Sequence, residues 1–438
     1  MKIELAERFR GTTLGREVES LLLPCVQCGQ CTFTCPTFRL LDDEWDGPRG
    51  RIYLIKLLFE GRTPDASTLP PAYTMQTLEG RTLGANLQLH LDRCLTCRSC
   101  ESSCPEGVRY GRLLDIAREL VEKETPRPLK ERFARRAVRA IVAYRYRFTA
   151  LLRTGQALRR FLPQNLRVRI PERRRAGPWP ERAHDRGMLV WQGCVQPALA
   201  PDINAAAARV LDRFGIRLVP ADGGCCGALS QHLAAADEAR AFMRRSIDAL
   251  WPQIEAGAEA IVTTTSGCGA HLRDYGQLLQ DDPHYGEKAR RISEMTRDIA
   301  EVVAGEWRED PLHDASAVQG KRRIAFQSPC SLQHGHQQKG VVEGLLRRAG
   351  FKLVPAAYRF MCCGSAGSYS VLQPELANSL RTHKLQTLLE TGPELIATAN
   401  VGCMTHLAAA SPLPVVHWIQ LLDETLHASG STPGKPSE

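Results

Sequence analysis

CVQCGQCTFTCPTF, residues 25–38, carries Cys25, Cys28, Cys31 and Cys35 and follows the last of them at once with Pro36. Cysteines this dense serve disulfides, a structural zinc or an inorganic cluster. The segment MKIELAERFRGTTLG at 1–15 is charged from its second residue and has no apolar h-region, so a reducing, cytoplasmic setting is expected. There the 16 cysteines of the chain are expected to be metal ligands or redox groups rather than bridges. Structural zinc usually takes two separated C-x-x-C pairs. Cysteine at every third position, then a fourth ending on proline, is instead the C-x2-C-x2-C-x3-C-P run that wraps an iron–sulfur cluster.

In such a run the fourth cysteine serves the other cluster of a pair, so a second run is required. CLTCRSCESSCP at 94–105 supplies Cys94, Cys97, Cys100, Cys104 and Pro105. The expectation is two 4Fe-4S clusters with crossed ligands: Cys25, Cys28, Cys31 and Cys104 at the first, Cys94, Cys97, Cys100 and Cys35 at the second. The 58 residues between the runs exceed the spacer of a minimal bacterial ferredoxin, and RGRIYLIKLLFEG within them has apolar residues at helical spacing. A mostly helical, two-cluster ferredoxin-type domain is expected over residues 1–115, resembling that of succinate dehydrogenase iron–sulfur subunits.

The composition of the 438 residues, 43% hydrophobic and 24% charged, is ordinary for several globular domains. Their formal charge of +9 is local: residues 127–175 hold 16 Arg or Lys against two Glu, and the remainder is net −5. This stretch falls in a basic helical linker expected over 116–186. It follows the helix GRLLDIARELVEKE, which Pro126 and Pro128 stop. Phe133, Ala137, Ile141, Tyr144, Phe148 and Leu152 form an apolar stripe at helical spacing. So concentrated a charge self-repels and seeks a counter-charge. The stripe is therefore expected to face the protein and the arginines an anionic membrane surface or an acidic partner; nucleic acid is not expected. The longest uncharged stretch, Leu395 to Leu422, is broken by Pro412 and Pro414 among other residues, so no membrane-spanning helix is read.

The rest of the chain is a repeat. RFGIRLVPADGGCCG at 213–227 answers RAGFKLVPAAYRFMCCG at 348–364. Cys194 matches Cys330, Cys225 and Cys226 match Cys362 and Cys363, and Cys268 matches Cys403; His271 and His406 follow in register. Short apolar strands (MLVWQG and RIAFQS, AIVTTT and LIATAN) alternate with helices, which implies βαβ units on parallel sheets. The expected fold class is multidomain α/β: the ferredoxin domain, then a tandem pair of cysteine-rich CCG α/β domains over 187–315 and 316–438. Each cysteine lies past the carboxyl end of a strand, where such sheets place ligands. A further metal or redox site, a third iron–sulfur cluster among the options, is therefore expected at these eight cysteines. The two histidines read first as caps or core groups.

No G-x-G-x-x-G follows a strand and no P-loop occurs, so no flavin, nicotinamide or nucleotide site is read. No catalytic residue is assigned either. Clusters without a hydride-handling cofactor make a conductor of electrons. The stretches at 25–56, LDRCLTCRSCESSCPEGVRYGRLLDIAR at 91–118, SPCSLQHGHQ at 328–337 and CCGSAGSYS at 362–370 resemble the iron–sulfur subunits of bacterial glycolate oxidases (glycolate dehydrogenases). That family lies in a ferredoxin-plus-CCG, heterodisulfide-reductase-like group with lactate-utilisation and anaerobic glycerol-3-phosphate dehydrogenase subunits. The resemblance implies an electron-transfer subunit working with FAD-binding subunits that oxidise glycolate to glyoxylate, passing electrons to a quinone or other respiratory acceptor. Such a chain is part of an enzyme without oxidising substrate alone, and it sits peripherally on the cytoplasmic face of the inner membrane. D-lactate or glycerol 3-phosphate as substrate, and disulfide or quinone reduction at the CCG halves, are the alternatives. The group's full motif ends in C-x-x-C; here Thr265 and Asn400 stand at its penultimate cysteine, leaving four cysteines per half.

Overall fold

Thr12 opens the first helix by accepting the Gly15 N–H on its hydroxyl, and helix α1 runs over Thr13–Leu22. In this computed structural model residues 1–63, 82–167, 170–307 and 322–429 are described. The expected 315/316 boundary and Arg169 of the basic stretch lie outside them. The chain forms two compact units: one of Met1–Arg136 with Ser230–Ala236 and Phe360–Arg381, the other of the remaining segments.

The first unit is helical. Prolines at the first turn start α2 (Pro36–Leu41) and α3 (Pro48–Glu60), where a missing N–H costs no hydrogen bond. Pro36 thus has a mechanical role: it turns the chain into a helix directly after the fourth cysteine. Helices α4 (Leu83–Asp92) and α5 (Tyr110–Glu124) close the bundle around Val18, Leu22, Ile55, Phe59, Leu87 and Leu114, all buried. The helices read at RGRIYLIKLLFEG and GRLLDIARELVEKE are α3 and α5. Gly50 fixes how close α3 lies to the preceding turn, because a Cβ there would stand 2.2 Å from the Glu44 carbonyl oxygen.

The basic stretch forms α6 (Leu129–Val142) and α7 (Arg145–Leu158), separated by an extended Tyr144. The apolar stripe was expected to lie on one inward face. It does so in part: Ala137, Ile141, Tyr144, Phe148 and Leu152 are half-buried, with the helix broken at Tyr144. Phe133 is 76% exposed, whereas Tyr144 packs edge-on against Phe242 at 5.5 Å.

In the second unit, strands β1 (Arg186–Trp191), β2 (Ile216–Ala221), β3 (Ile261–Thr263) and β4 (Thr296–Asp298) form a sheet in the order β2-β1-β3-β4. Strands β5 (Arg323–Gln327), β6 (Lys352–Val354), β7 (Leu395–Thr398) and β8 (Val415–His417) repeat that order as β6-β5-β7-β8. Every pairing is parallel. Leu189 opposite Ile261 in the first sheet corresponds to Ile324 opposite Leu395 in the second. The strands read at MLVWQG, RIAFQS, AIVTTT and LIATAN are the inner ones, continuous apolar runs buried on both faces, and the strand read before each CCG is the outer β2 or β6.

The intervening helices include α8 (Asp202–Arg213), α9 (Ala236–Glu255), α10 (Ser266–Arg273) and α11 (Ile299–Glu306) in the first half. The second half has α12 (Pro374–Leu389), α13 (Val401–Ala408) and α14 (Trp418–Ser429). Arg209 of α8 joins the halves by gripping the Asp423 carboxylate of α14 at 2.6–3.0 Å. A π-helical turn, Ser331–Gly335, meets α10 through Ser266 and Ser331, whose hydroxyls lie 2.7 Å apart.

Candidate metal centres

Two cysteine loops in the helical unit bend in the same way. Gln27 (φ 59°) and Gly29 (φ 81°) flank Cys28, while Thr96 (φ 55°) and Arg98 (φ 58°) flank Cys97. Left-handed residues on both sides of a middle cysteine curl the chain tightly, and three of the four are not glycine, an unusual concentration of backbone strain. The curl turns successive cysteines toward one centre. Cys25, Cys28, Cys31, Cys100 and Cys104 line a space that, with the solvent at its mouth, takes up about 450 Å³. Cys35, Cys94, Cys97 and Cys100 line another of about 390 Å³. Pro48 and Tyr110 form walls of both.

The donor chemistry suits iron–sulfur clusters. A tetrahedral zinc, about 2.3 Å from each thiolate, would draw sulfurs to roughly 3.8 Å of one another. Among the described residues, the group whose ligand atoms all fall within 4.8 Å is Asp43, Asp46 and His90, with no cysteine in it. Burial raises the Cys25 and Cys100 thiols and pushes Cys31 up to about 12, with neighbouring cysteines adding to each. Such thiols keep their protons until a metal displaces them. Donors already face the sulfurs: the Val108 N–H donates toward Cys104 at 3.5 Å and the buried Tyr110 hydroxyl toward Cys94 at 3.8 Å. Such bonds are among the factors that set cluster potentials.

Two buried arginines brace the second set. Arg118 donates to the carbonyls of Leu91 (2.7 Å) and Cys94 (2.9 Å) and to the Thr96 hydroxyl (2.8 Å). Arg51 donates to the His90 carbonyl (2.7 Å) and the Thr37 hydroxyl (3.1 Å), and its Nη1 lies 3.9 Å from the Cys35 sulfur. Asp46 answers with one oxygen on Arg51 (3.3 Å) and His90 (3.1 Å) and the other on Arg93 (2.6 Å). Burial works to raise the Asp46 carboxyl, but His90, Arg51 and Arg93 hold it below its ordinary value. Arg51 stays firmly charged: burial opposes its charge, and Cys94, Tyr110, Cys35 and Asp46 outweigh that. Sequence reasoning missed this network, although GPRGR was in view.

In the first α/β half, Cys194 follows β1, Cys225 and Cys226 follow β2, and Cys268 lies in α10 after β3. Thiol contacts run from Cys194 to Cys225 to Cys226 to Cys268. Cys194 is raised by its hydrogen bond with Cys225 and by burial. Cys226 is lowered by Cys225 but raised more by Cys268 and burial. Gly227 permits the turn: its φ is 94° and a Cβ would stand 3.0 Å from the Ala239 carbonyl oxygen of α9. Gly364 repeats this at φ 88° against Ala377 of α12. The N–H of each glycine points at the first cysteine of its pair, Gly227 to Cys225 at 3.4 Å and Gly364 to Cys362 at 3.5 Å.

In the second half, Cys330 lies past β5 and Cys403 in α13 past β7, while Cys362 and Cys363 are buried in the Phe360–Arg381 segment of the helical unit. His271 is a core histidine, edge-on to Tyr275 at 5.7 Å; His406 lies in the last turn of α13. At the penultimate cysteine positions, Thr265 bonds Gln196, and Asn400 caps α13 by accepting the Gly402 N–H at 3.3 Å.

Residues 21–108 match the 4Fe-4S dicluster domain family, and residues 188–273 and 324–408 each match the cysteine-rich CCG domain family. Fold and cysteine sets together define a dicluster iron–sulfur protein with a duplicated cysteine-rich α/β half. Over 428 residues the chain is 47% identical to the glycolate oxidase iron-sulfur subunit of Escherichia coli, covering 97% of this chain and 99% of that one. A probable glycolate oxidase iron-sulfur subunit of Bacillus subtilis is 28% identical over 425 residues, 89% of each chain. A lactate utilization protein of Exiguobacterium is 24% identical over 240 residues, 53% of this chain and 94% of the other. The chain belongs to the family of glycolate oxidase iron–sulfur subunits, and its cofactors are 4Fe-4S clusters.

Proposed function

We propose that the chain conducts electrons in a glycolate oxidase complex, together with FAD-binding subunits that convert glycolate to glyoxylate. Glycolate loses two electrons and two protons in that oxidation. The protons are left to the flavin subunits and solvent, and the electrons move singly through this chain to a quinone or other respiratory acceptor. When bound, the clusters supply the one-electron redox couples. Cys25, Cys28, Cys31 and Cys104 hold one, and Cys94, Cys97, Cys100 and Cys35 the other. The observation that supports this reading is that Cys104 of the second run lines the space of Cys25, Cys28 and Cys31, while Cys35 of the first run lines that of Cys94, Cys97 and Cys100, with Cys100 bordering both.

The remaining contributions are the protein's own. Left-handed turns aim the thiols, and Pro48 and Tyr110 form walls common to both spaces. In domain terms, residues 1–115 carry the clusters, 116–186 form the basic linker, and 187–315 and 316–438 are the CCG halves. The thiol chain Cys194–Cys225–Cys226–Cys268 supports a further cluster or redox site in the first half; Cys330, Cys362, Cys363 and Cys403 are the matching positions in the sequence of the second. Leu129 and Phe133, exposed beside Lys130, Arg132 and Arg136, support contact with an anionic membrane face.

The test is assay of the purified chain for iron, acid-labile sulfide and the EPR signals of the reduced protein. Cluster signals are expected, with glycolate oxidation appearing only once FAD-bearing subunits are added. Turnover of glycolate by the pure, flavin-free chain would overturn the conductor role.

A further inference from the structure

Helix α3 opens Pro48-Arg49-Gly50-Arg51, and its two arginines serve different clusters. Arg49 borders the first space, with its guanidinium 3.0 Å from where a Cβ on Gly29 would stand. It is 23% exposed and pairs with Glu44 at 2.7 Å, so its charge is cancelled locally and screened by water. The charged side chains lining the first space are Arg49 and Glu106, one of each sign.

The second space differs. Arg51 and Arg98 line it, and no carboxylate does. Arg51 is 1% exposed. Its carboxylate, Asp46, is divided between Arg51 and Arg93, so two guanidinium groups share one negative charge. Arg118, 7% exposed, is met by carbonyl and hydroxyl oxygens and by no carboxylate among the described residues. Asp43, Asp46 and His90 bring ligand atoms within 4.8 Å, but Arg51 and Arg93 already supply the cations there.

We infer that Arg51, with Asp46 and Arg93 behind it, sets the reduction potential of the cluster at Cys35, Cys94, Cys97 and Cys100 above that of its neighbour. This rests on the proposed ligation. An added electron makes a cluster more negative, and a positive charge fixed in dry protein favours that reduced form. At equilibrium a single electron on the chain would therefore reside mainly at the second cluster. Arg51 is a positioning residue: it touches a ligand sulfur and takes no part in a bond change.

Anaerobic redox titration of the full chain, followed by EPR, tests this on wild type, Arg51→Gln, Arg51→Lys, Arg93→Gln and Asp46→Asn. Cys35→Ala identifies the second cluster's signal. Arg51→Gln should shift that cluster at least tenfold toward its oxidised form, which is 59 mV for a one-electron couple, and leave the first cluster alone. Arg93→Gln should shift it the same way, less far. Arg51→Lys should restore most of the potential. Asp46→Asn should move it upward. Shifts of opposite sign separate charge from damaged packing, which carries no sign with the charge removed. If Arg51→Gln fails to hold clusters, the partly exposed Arg93 and Asp46→Asn decide alone. Two intact signals indifferent to all these changes overturn the inference and leave the clusters standing; a wild type without cluster signals overturns the ligation itself.

Discussion

Cys35 and Cys104 are the residues on which crossed ligation turns. Replacing Cys35 with Ala should abolish the signal of the cluster held by Cys94, Cys97 and Cys100, and replacing Cys104 that of the cluster held by Cys25, Cys28 and Cys31. EPR and iron content of each variant decide; loss of each run's own cluster would refute the crossing. Gly50→Ala is a packing test at the same scale. The new Cβ would meet three backbone atoms, the Glu44 oxygen at 2.2 Å, the Glu44 carbonyl carbon at 2.8 Å and the Trp45 Cα at 2.9 Å, none on a side chain free to swing away. A destabilisation of about 1–3 kcal/mol is expected in thermal or denaturant unfolding. The cysteines were legible in the sequence because ligand spacing is itself geometry. Arg51 was not, since an arginine in a helical pattern reads as a solvated residue and only packing reveals that it is buried. Arg118 and Tyr110 were hidden for the same reason.

At the scale of elements, inner strands β1, β3, β5 and β7 were readable as apolar runs, whereas β4 is Thr-Arg-Asp, polar throughout, and β8 directly follows the turn signal of Pro412 and Pro414. The linker helices were half-legible: their composition was clear, but the break at Tyr144 was not. Strand β4 ends on Asp298, which caps α11 in a reciprocal capping box with Glu301. Burial pushes the Asp298 carboxyl up to about 6, with His336 and the Ala300 N–H opposing. The folded chain thus binds this proton more tightly than the unfolded one. The stability it adds is full below the unfolded value near 3.8 and is lost as pH rises through about 6. The difference between the two values corresponds to roughly 3 kcal/mol. Asp298→Asn keeps a good cap and removes the linkage. The wild type should therefore gain stability relative to this variant between pH 7 and pH 4. Parallel stability curves for the two proteins would refute the assignment.

For the molecule as a whole, much of the basic surplus is answered internally. Arg127 and Arg135 pair with Asp92, Arg139 with Glu238, Arg145 with Asp222, Arg159 with Glu172 and Arg174 with Asp202. Lys130, Arg132 and Arg136 have no such partner among the described residues, and they flank the exposed Leu129 and Phe133. No described helix is long and apolar enough to cross a membrane. At about 1 kcal/mol per basic residue near an anionic surface, three such charges give weak, reversible attachment. Flotation of the complex with anionic vesicles at low salt is expected, and its loss at high salt or with neutral lipid. Flotation indifferent to both would exclude an electrostatic contact.

The helical unit is sewn from three stretches of chain, the last ending at Arg381. A ribosome that has finished Arg136 has therefore not yet made all the parts of this unit. At about 5–20 residues per second, the wait for the Phe360–Arg381 segment is roughly 12–50 s. During that interval the eight thiols of the two runs, and the residues lining their two spaces, are already made. The parts that line the clusters are thus complete long before the unit is, and a fragment cut at the end of the second cysteine run, at Pro105, would lack the Tyr110 wall of both spaces.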